Sequence, residues 1–294
     1  MPETQIQEEA VIPAQAPETS EDPKETMKEK KKGKPRPHVQ GNGIGILLQP
    51  RDYDWLTYLA RGPARFPEAE KYYINEATRK VLPNQLIYRR LNQLITAEII
   101  IKRRYKHLKQ SNMYYLTDIG AEILQARGIE PQEIRTQIVP ANHVVHEWLV
   151  AGVLRKMMSH SGASGTYRFL SYQDDRMMKY ANKFRRGEIY PDLKVRLQPF
   201  DGPWVEIMIE VEGLQLKQSR YMKKLRGLAN KTQNLVIFAR HEKRIETLYE
   251  YTHLTIPRPK HIYFCLVMDF IANGLSGRDW RYFPDKTKQN IRFR

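Results

Sequence analysis

The sequence is poor in cysteine: Cys265 stands alone in 294 residues. One cysteine excludes an internal disulfide and a cysteine-built zinc site, and it suits a reducing cytoplasm. Long hydrophobic runs are also missing. Ile262 to Ile271 is the nearest candidate, but it contains Asp269 and falls well short of the roughly 20 residues that cross a bilayer. No basic-then-apolar leader opens the chain. There is no His-x-His pair, and Gly41-Asn42-Gly43-Ile44-Gly45 follows no strand and precedes no Lys-Ser/Thr. That stretch therefore reads as a flexible linker rather than a phosphate loop. The expectation is a soluble cytoplasmic protein with no membrane insertion.

What the chain has is positive charge. It carries 49 Lys+Arg against 33 Asp+Glu, a net +16. Residues 1–30 hold eight acidic side chains and three lysines, a net −5, so the remainder carries +21. A body that basic is built for a polyanion, with nucleic acid ahead of a membrane surface. Residues 1–45, rich in Glu, Pro, Gln and Thr before the basic run Lys28 to Pro37, are expected to be a disordered tail. Such composition buries too little apolar area to offset chain entropy.

Periodicity begins near Gln49. Arg51 to Ala60 has helical spacing and is stopped by Gly62-Pro63, and a short helix is expected over Glu68 to Arg79. Pro83 opens a third, in which Leu86, Ile87, Leu91, Leu94 and Ile95 form the buried stripe and Gln85, Arg89, Asn92 and Gln93 lie outside. Ile99 to Tyr105 and Met113 to Leu116 then read as a β-hairpin with a basic first arm. Thr117 caps a closing helix that Gly128 ends. This order is a winged helix-turn-helix pattern, assigned to residues 46–130. Gln85, Arg89, Arg90 and Gln93 are the candidates for a major groove, and Lys102, Arg103, Arg104, Lys106 and Lys109 for phosphates. The plainer alternative is a winged helix used for protein contacts.

A linker with Pro131 and Pro140 leads into a second module, assigned to residues 136–275. Ala141 to Met158 is a helix apolar on nearly every side; His143, Glu147, Val150 and Leu154 share a stripe, with Arg155 and Lys156 away from it. His143 is read as a core or cap histidine, and His143-x-x-His146 as too weak to claim a metal, since the two point about 60° apart. Thr166 to Tyr172 reads as a strand and Arg176 to Arg186 as a basic loop. Two alternating segments follow, Asp192 to Leu197 and Val205 to Glu212, joined by a turn with Pro and Gly. Pairing them brings Asp192 beside Glu210 and Glu212 on one side of a sheet. Carboxylates so gathered repel one another, and a divalent cation relieves this. Without a cation they are an exposed strand face paired with Lys and Arg. Leu214 to Leu228 is a basic helix. Asn234 to Ala239 and His261 to Met268 are apolar strands around a helix, His241 to Tyr251, and residues 276–294 are a basic tail.

The run "RRLNQLITAEIIIKRRYKHLKQSNMYYLTDIGAEIL" resembles the recognition-helix, wing and "LT-x-x-G" segment of bacterial winged-helix proteins. Pro191-Asp192 on the second strand and Glu210-x-Glu212 on the third, in the order helix, strand, strand, strand, helix, strand, resemble the restriction-endonuclease-like PD-(D/E)xK fold. Together, over about residues 46–240, the two halves resemble the replication-relaxation family of plasmids and mobile elements, which includes a class of mobilisation relaxases. The fold class this implies is α+β, a winged helix followed by an α/β nuclease-like domain.

The resemblance implies a metal-dependent DNA-nicking enzyme acting in plasmid mobilisation or replication. Its partners would be a plasmid or transfer origin and mobilisation or replication accessory proteins. Asp192, Glu210 and Glu212, with Glu147 on the preceding helix, would hold Mg²⁺ or Mn²⁺. The chain departs from the motif where Glu212 replaces the lysine. Lys217, ahead of Lys194, is the candidate to supply that charge, and Tyr221 one turn later would face the site. Tyr172, Tyr180 and Tyr190 are candidates for a covalent step. The alternative is a DNA-binding replication accessory or transcriptional regulator whose nuclease core is degenerate; a protein-interaction scaffold is a third.

Overall fold

The computed structural model describes residues 46–108, 111–159, 167–183, 185, 187–199, 202–212, 218–256, 261–274 and 281–283. The tail expected over residues 1–45, Lys109 and Lys217 lie outside them. The described residues belong to one compact α+β unit built on two sheets.

The N-terminal half begins with α1 (Pro50–Ala60), where Pro50 occupies the first turn and the Gln49 N–H donates to Asp52 Oδ2 at 2.7 Å. Next come β1 (Ala64–Arg65), α2 (Phe66–Ala69), α3 (Asn84–Thr96), β2 (Ile100–Arg104), β3 (Asn112–Leu116) and α4 (Asp118–Gln125). The strands pair antiparallel in the order β1-β3-β2, which leaves basic β2 at an edge. Ile87, Leu91 and Leu94 of α3 join Trp55, Leu56 and Leu59 of α1 in one core. Two expectations are corrected here. The helix expected over Glu68 to Arg79 is only α2, because Pro67 starts it and the chain then turns into an isolated Ile74–Val81 bridge. Leu86, expected in the buried stripe, is 49% exposed.

The Thr117-x-x-Gly120 segment has a structural cause. Thr117 Oγ1 accepts from the Gly120 N–H at 3.2 Å and donates to the Ile99 carbonyl at 2.9 Å, tying α4 to the α3–β2 corner. A Cβ on Gly120 would lie 2.4 Å from the Ile99 oxygen and 2.6 Å from Leu116 Cδ1. Backbone cannot give way there, so Gly120→Ala will destabilise the protein by about 2 kcal/mol or more, read as a lowered denaturation midpoint at unchanged slope.

The C-terminal half holds α5 (Val144–Ser159), β4 (Tyr167–Asp174), α6 (Asp175–Ala181), β5 (Leu193–Pro199), β6 (Val205–Val211), α7 (Gln218–Ala229), β7 (Asn234–Ala239), α8 (Glu242–Thr255), β8 (His261–Leu266), α9 (Val267–Asn273) and β9 (Arg281–Phe283). Its six strands run in sequence order, β4 to β9. The pairs from β4 to β6 are antiparallel, and β6–β7 and β7–β8 are parallel. Parallel neighbours need a crossover, and α7 and α8 supply them. One sheet face packs on α5 and α9 through Leu193, Val195, Ile207 and Ile209. The other packs on α7 and α8 through Met208, Leu235, Ile237 and Phe264.

The expected alternation of residues 193–197 and 205–211 is present in register, with Leu193 opposite Ile209. The basic loop expected at Arg176 to Arg186 begins instead as α6, because Asp174 caps it, accepting from the Met177 N–H at 2.8 Å. Residues 281–283, read as part of a basic tail, form β9 against β8.

The halves are joined by arginines. Arg155 of α5 donates to the carbonyls of Gly62 (2.5 Å), Tyr58 (3.1 Å) and Pro63 (3.2 Å), and its guanidinium lies over the Tyr58 ring. Arg61 reaches Tyr172 Oη at 2.8 Å and the Glu133 carboxylate at 2.9 Å.

Candidate functional site

Asp192 ends the loop before β5, and Glu210 is the next-to-last residue of β6. Register alone makes them neighbours, because Leu193 faces Ile209. Both are nearly buried, at 8% and 5% exposure. Asp192 is fixed from three sides: Oδ2 accepts from the Val211 N–H at 2.7 Å, Oδ1 lies 3.3 Å from His146 Nε2, and Lys224 Nζ is 3.8 Å away. Lys224, on α7, also donates to Glu210 Oε1. Glu210 Oε2 is buried and has no hydrogen-bond partner. The group sits in a cleft of about 730 Å³, whose walls include Glu147, Lys179, Tyr190, Glu212, Arg220 and Tyr221.

The electrostatics separate the two carboxylates. Burial works against the charge on Asp192, but Lys224 and His146 outweigh it and hold its carboxyl below the usual range. Burial raises Glu210, the Asp192 charge adds to this, and its carboxyl is pushed up to about 8. Burial opposes the His146 charge as well, yet the hydrogen bond to Asp192 and the surrounding carboxylates raise it to about 9.

Of the expected ligands, the structure brings Asp192 and Glu210 together and gives the other two arginine partners. Glu212 lines the cleft but is gripped by the Arg244 guanidinium through Nε, at 2.6 and 2.7 Å. Glu147 also lines it but pairs with Arg135 at 2.6 Å, and Arg135 in turn holds Asp174 at 2.9 Å. Among the described residues, no group of three His, Cys, Asp or Glu side chains is arranged to hold a metal ion. The orphaned Glu210 oxygen beside Asp192 is nevertheless a donor set that suits a hard divalent cation. Lys194 is turned away to Glu206, at 3.0 Å. Lys224, named in the sequence only as part of a basic helix, holds the position beside the pair.

The tyrosines divide similarly. Tyr172 is buried against Arg61, Tyr180 is 78% exposed, and Tyr190 lies on the cleft wall with its hydroxyl 2.8 Å from Glu188. Tyr221, which the family resemblance expects to face the site, lines the cleft with a buried hydroxyl that has no hydrogen-bond partner. In the sequence His146 is weighed with His143 as a metal ligand and set aside, and Lys224 is not singled out from its basic helix.

On the N-terminal half, Gln85, Arg89, Lys102, Arg103, Arg104 and Lys106 are exposed. Gln85, Arg89, Asn92 and Gln93 line a groove along α3. Arg90 is directed inward instead: it binds buried Asp52 at 2.5–3.2 Å and the Leu47 carbonyl at 2.7 Å. Its Nη1 also engages Gln93 at 2.9 Å. Arg90 therefore anchors α3 onto α1.

No protein-family model matches the sequence, and no curated protein matches it. Among solved structures, the crystal structure of Bacillus subtilis PadR in complex with operator DNA is 17% identical with a TM-score of 0.24, covering 54% of this chain and 84% of that one. That similarity is too slight to transfer fold or function.

Proposed function

We propose that the protein is a DNA-binding, metal-dependent strand-nicking enzyme of the replication-relaxation type, with a winged helix over residues 46–130 and a restriction-endonuclease-like core from residue 136. The observation that carries this is the convergence of Asp192, Glu210 and Lys224 in a cleft, with one Glu210 oxygen left without a partner. Asp192 and Glu210 would hold Mg²⁺ or Mn²⁺. Such a cation, when bound, lowers the pKa of its water and steadies charge on the phosphodiester.

The protein's own groups do the rest. The Val211 N–H fixes the Asp192 carboxylate in place. Lys224 supplies the positive charge that Glu212 cannot, on the helix rather than on the strand. His146 holds Asp192 from the opposite side. The exposed α3 face and the basic edge strand β2 bring duplex DNA to the molecule. A plasmid or transfer origin is the fitting substrate for the family resemblance, with mobilisation or replication proteins as companions.

A second reading has its own support. Arg244 and Arg135 already neutralise Glu212 and Glu147, as befits a DNA-binding replication accessory or regulator with a silent core. Supercoiled plasmid carrying the native origin, incubated with Mg²⁺, Mn²⁺ or EDTA, separates the two. The nicking reading expects metal-dependent open circles from the wild type and a loss of at least 100-fold in Asp192→Ala and Glu210→Ala. Origin binding by all three proteins without nicking by any leaves the regulator reading.

A further inference from the structure

Helices α7 and α8 cover only part of their sheet face. Among the described residues, none of β4 or β5 belongs to the core beneath them, and no described helix covers the outward side of these strands. Arg168, Lys194, Arg196 and Trp204 lie there with one described carboxylate outside the cleft, Glu206, which pairs with Lys194 at 3.0 Å and Arg196 at 3.4 Å. Trp204 is 54% exposed, with the Arg196 guanidinium 4.9 Å from its ring.

The register of β4 shows how Arg168 comes to this face. A bulge between Phe169 and Ser171 shifts the pairing, so that Phe169 faces buried Leu197 and Arg168 faces Gln198. Without the extra residue, alternation would turn Arg168 toward the core and Phe169 outward. The same face leads directly to the cleft. Asp192, Lys194 and Arg196 alternate along one side of a strand that advances about 3.3 Å per residue, so Arg196 lies roughly 13 Å from Asp192.

We propose that this open face is a track for an unpaired polynucleotide strand running into the Asp192–Glu210 cleft, with Trp204 stacking on a base and Arg168 and Arg196 on phosphates. It rests on the reading of that cleft as a nucleic-acid site. The excess of cations matches a phosphate backbone. An exposed indole backed by a guanidinium offers a surface that stacks on any base freed from its partner. A duplex, whose bases are already stacked, leaves the indole unused.

The test uses the full-length protein in EDTA with a fluorescein-labelled 20-nucleotide single strand and its matching duplex. Trp204→Ala should weaken single-strand binding about tenfold. Arg168→Ala with Arg196→Ala should lower the dependence of log K on log salt by about 1.4, at roughly 0.7 per lost phosphate contact. The strand should quench wild-type tryptophan emission more than that of Trp204→Phe. These side chains are on the surface, so unchanged circular dichroism and melting will show intact folding.

Wild-type affinity, salt slope and quenching in all variants would overturn the proposal, as would a defect confined to the duplex. The plasmid assay in Mn²⁺ separates this from the nicking reading. Variants that bind and nick like an active wild type leave nicking in place and remove the track. Variants that lose the strand, beside a wild type that binds it and never nicks, keep the track and remove nicking.

Discussion

Arg155→Met will lower unfolding free energy by about 3–5 kcal/mol, among the largest losses expected from a single substitution outside the cleft. Methionine keeps most of the stem volume but no donor. The Gly62, Pro63 and Tyr58 carbonyls, now bound at 2.5–3.2 Å, would be left without Arg155, and Glu68 would lose a cation 3.5 Å away. Each buried acceptor left unsatisfied costs about 1–3 kcal/mol. Denaturant melts followed by far-ultraviolet circular dichroism measure the loss. An early transition of the N-terminal half would show that Arg155 is its main tie to the sheet. A variant within 1 kcal/mol of wild type would mean that water satisfies those carbonyls.

The second large effect concerns Glu210 and depends on pH. Its carboxyl ionises near 8 in the fold against 4.5 when unfolded. Below pH 4.5 both states are protonated and the residue is neutral to stability. Between these values the unfolded chain releases a proton that the fold retains, so stability falls as pH rises and the full penalty is present above 8. Each unit of separation is worth about 1.4 kcal/mol. Glu210→Gln removes the penalty, so its melting temperature should gain on wild type by several degrees between pH 5 and pH 8.5, then level off.

His146, raised to about 9, also stabilises below its unfolded value and loses that contribution as pH climbs through 9. Glu210 is one of the carboxylates that raise His146, so Glu210→Gln also lowers the His146 value, and the difference between the proteins carries both groups. Under the metal reading, Mn²⁺ at pH 8 should raise the melting temperature of wild type and leave the variant nearly unmoved. A pH-independent difference would place Glu210 in a wetter setting than its 5% exposure indicates.

Strand periodicity and register were legible because they are local. Alternating Leu193, Val195, Leu197 and Ile207, Ile209, Val211 admit one burial pattern, and a short connection fixes their pairing, so Asp192 and Glu210 meet. α1, α3 and α4 of the N-terminal half were legible for the same reason, together with the Thr117-x-x-Gly120 corner, while the helix expected over Glu68 to Arg79 was not. Side chains that arrive from elsewhere were not. Among the described residues Lys224, and not Lys194, is the cation beside the pair, because the seating of α7 over β6 selects which turn faces the carboxylates while Lys194 turns to Glu206. Glu212 met Arg244 from a helix 32 residues later, and Glu147 met Arg135 from the linker.

The sequence by itself determined most of the helices and strands, the order of the central strands, the basic surface and the acidic pair, since these follow from composition and from periods of 2 and 3.6 residues; it missed α6 and β9 and overextended α2. Only the tertiary structure decided which cation serves that pair, that Arg155 faces protein instead of water, and that a one-residue bulge turns Arg168 outward. Each depends on packing between segments distant in the chain, which no local pattern encodes.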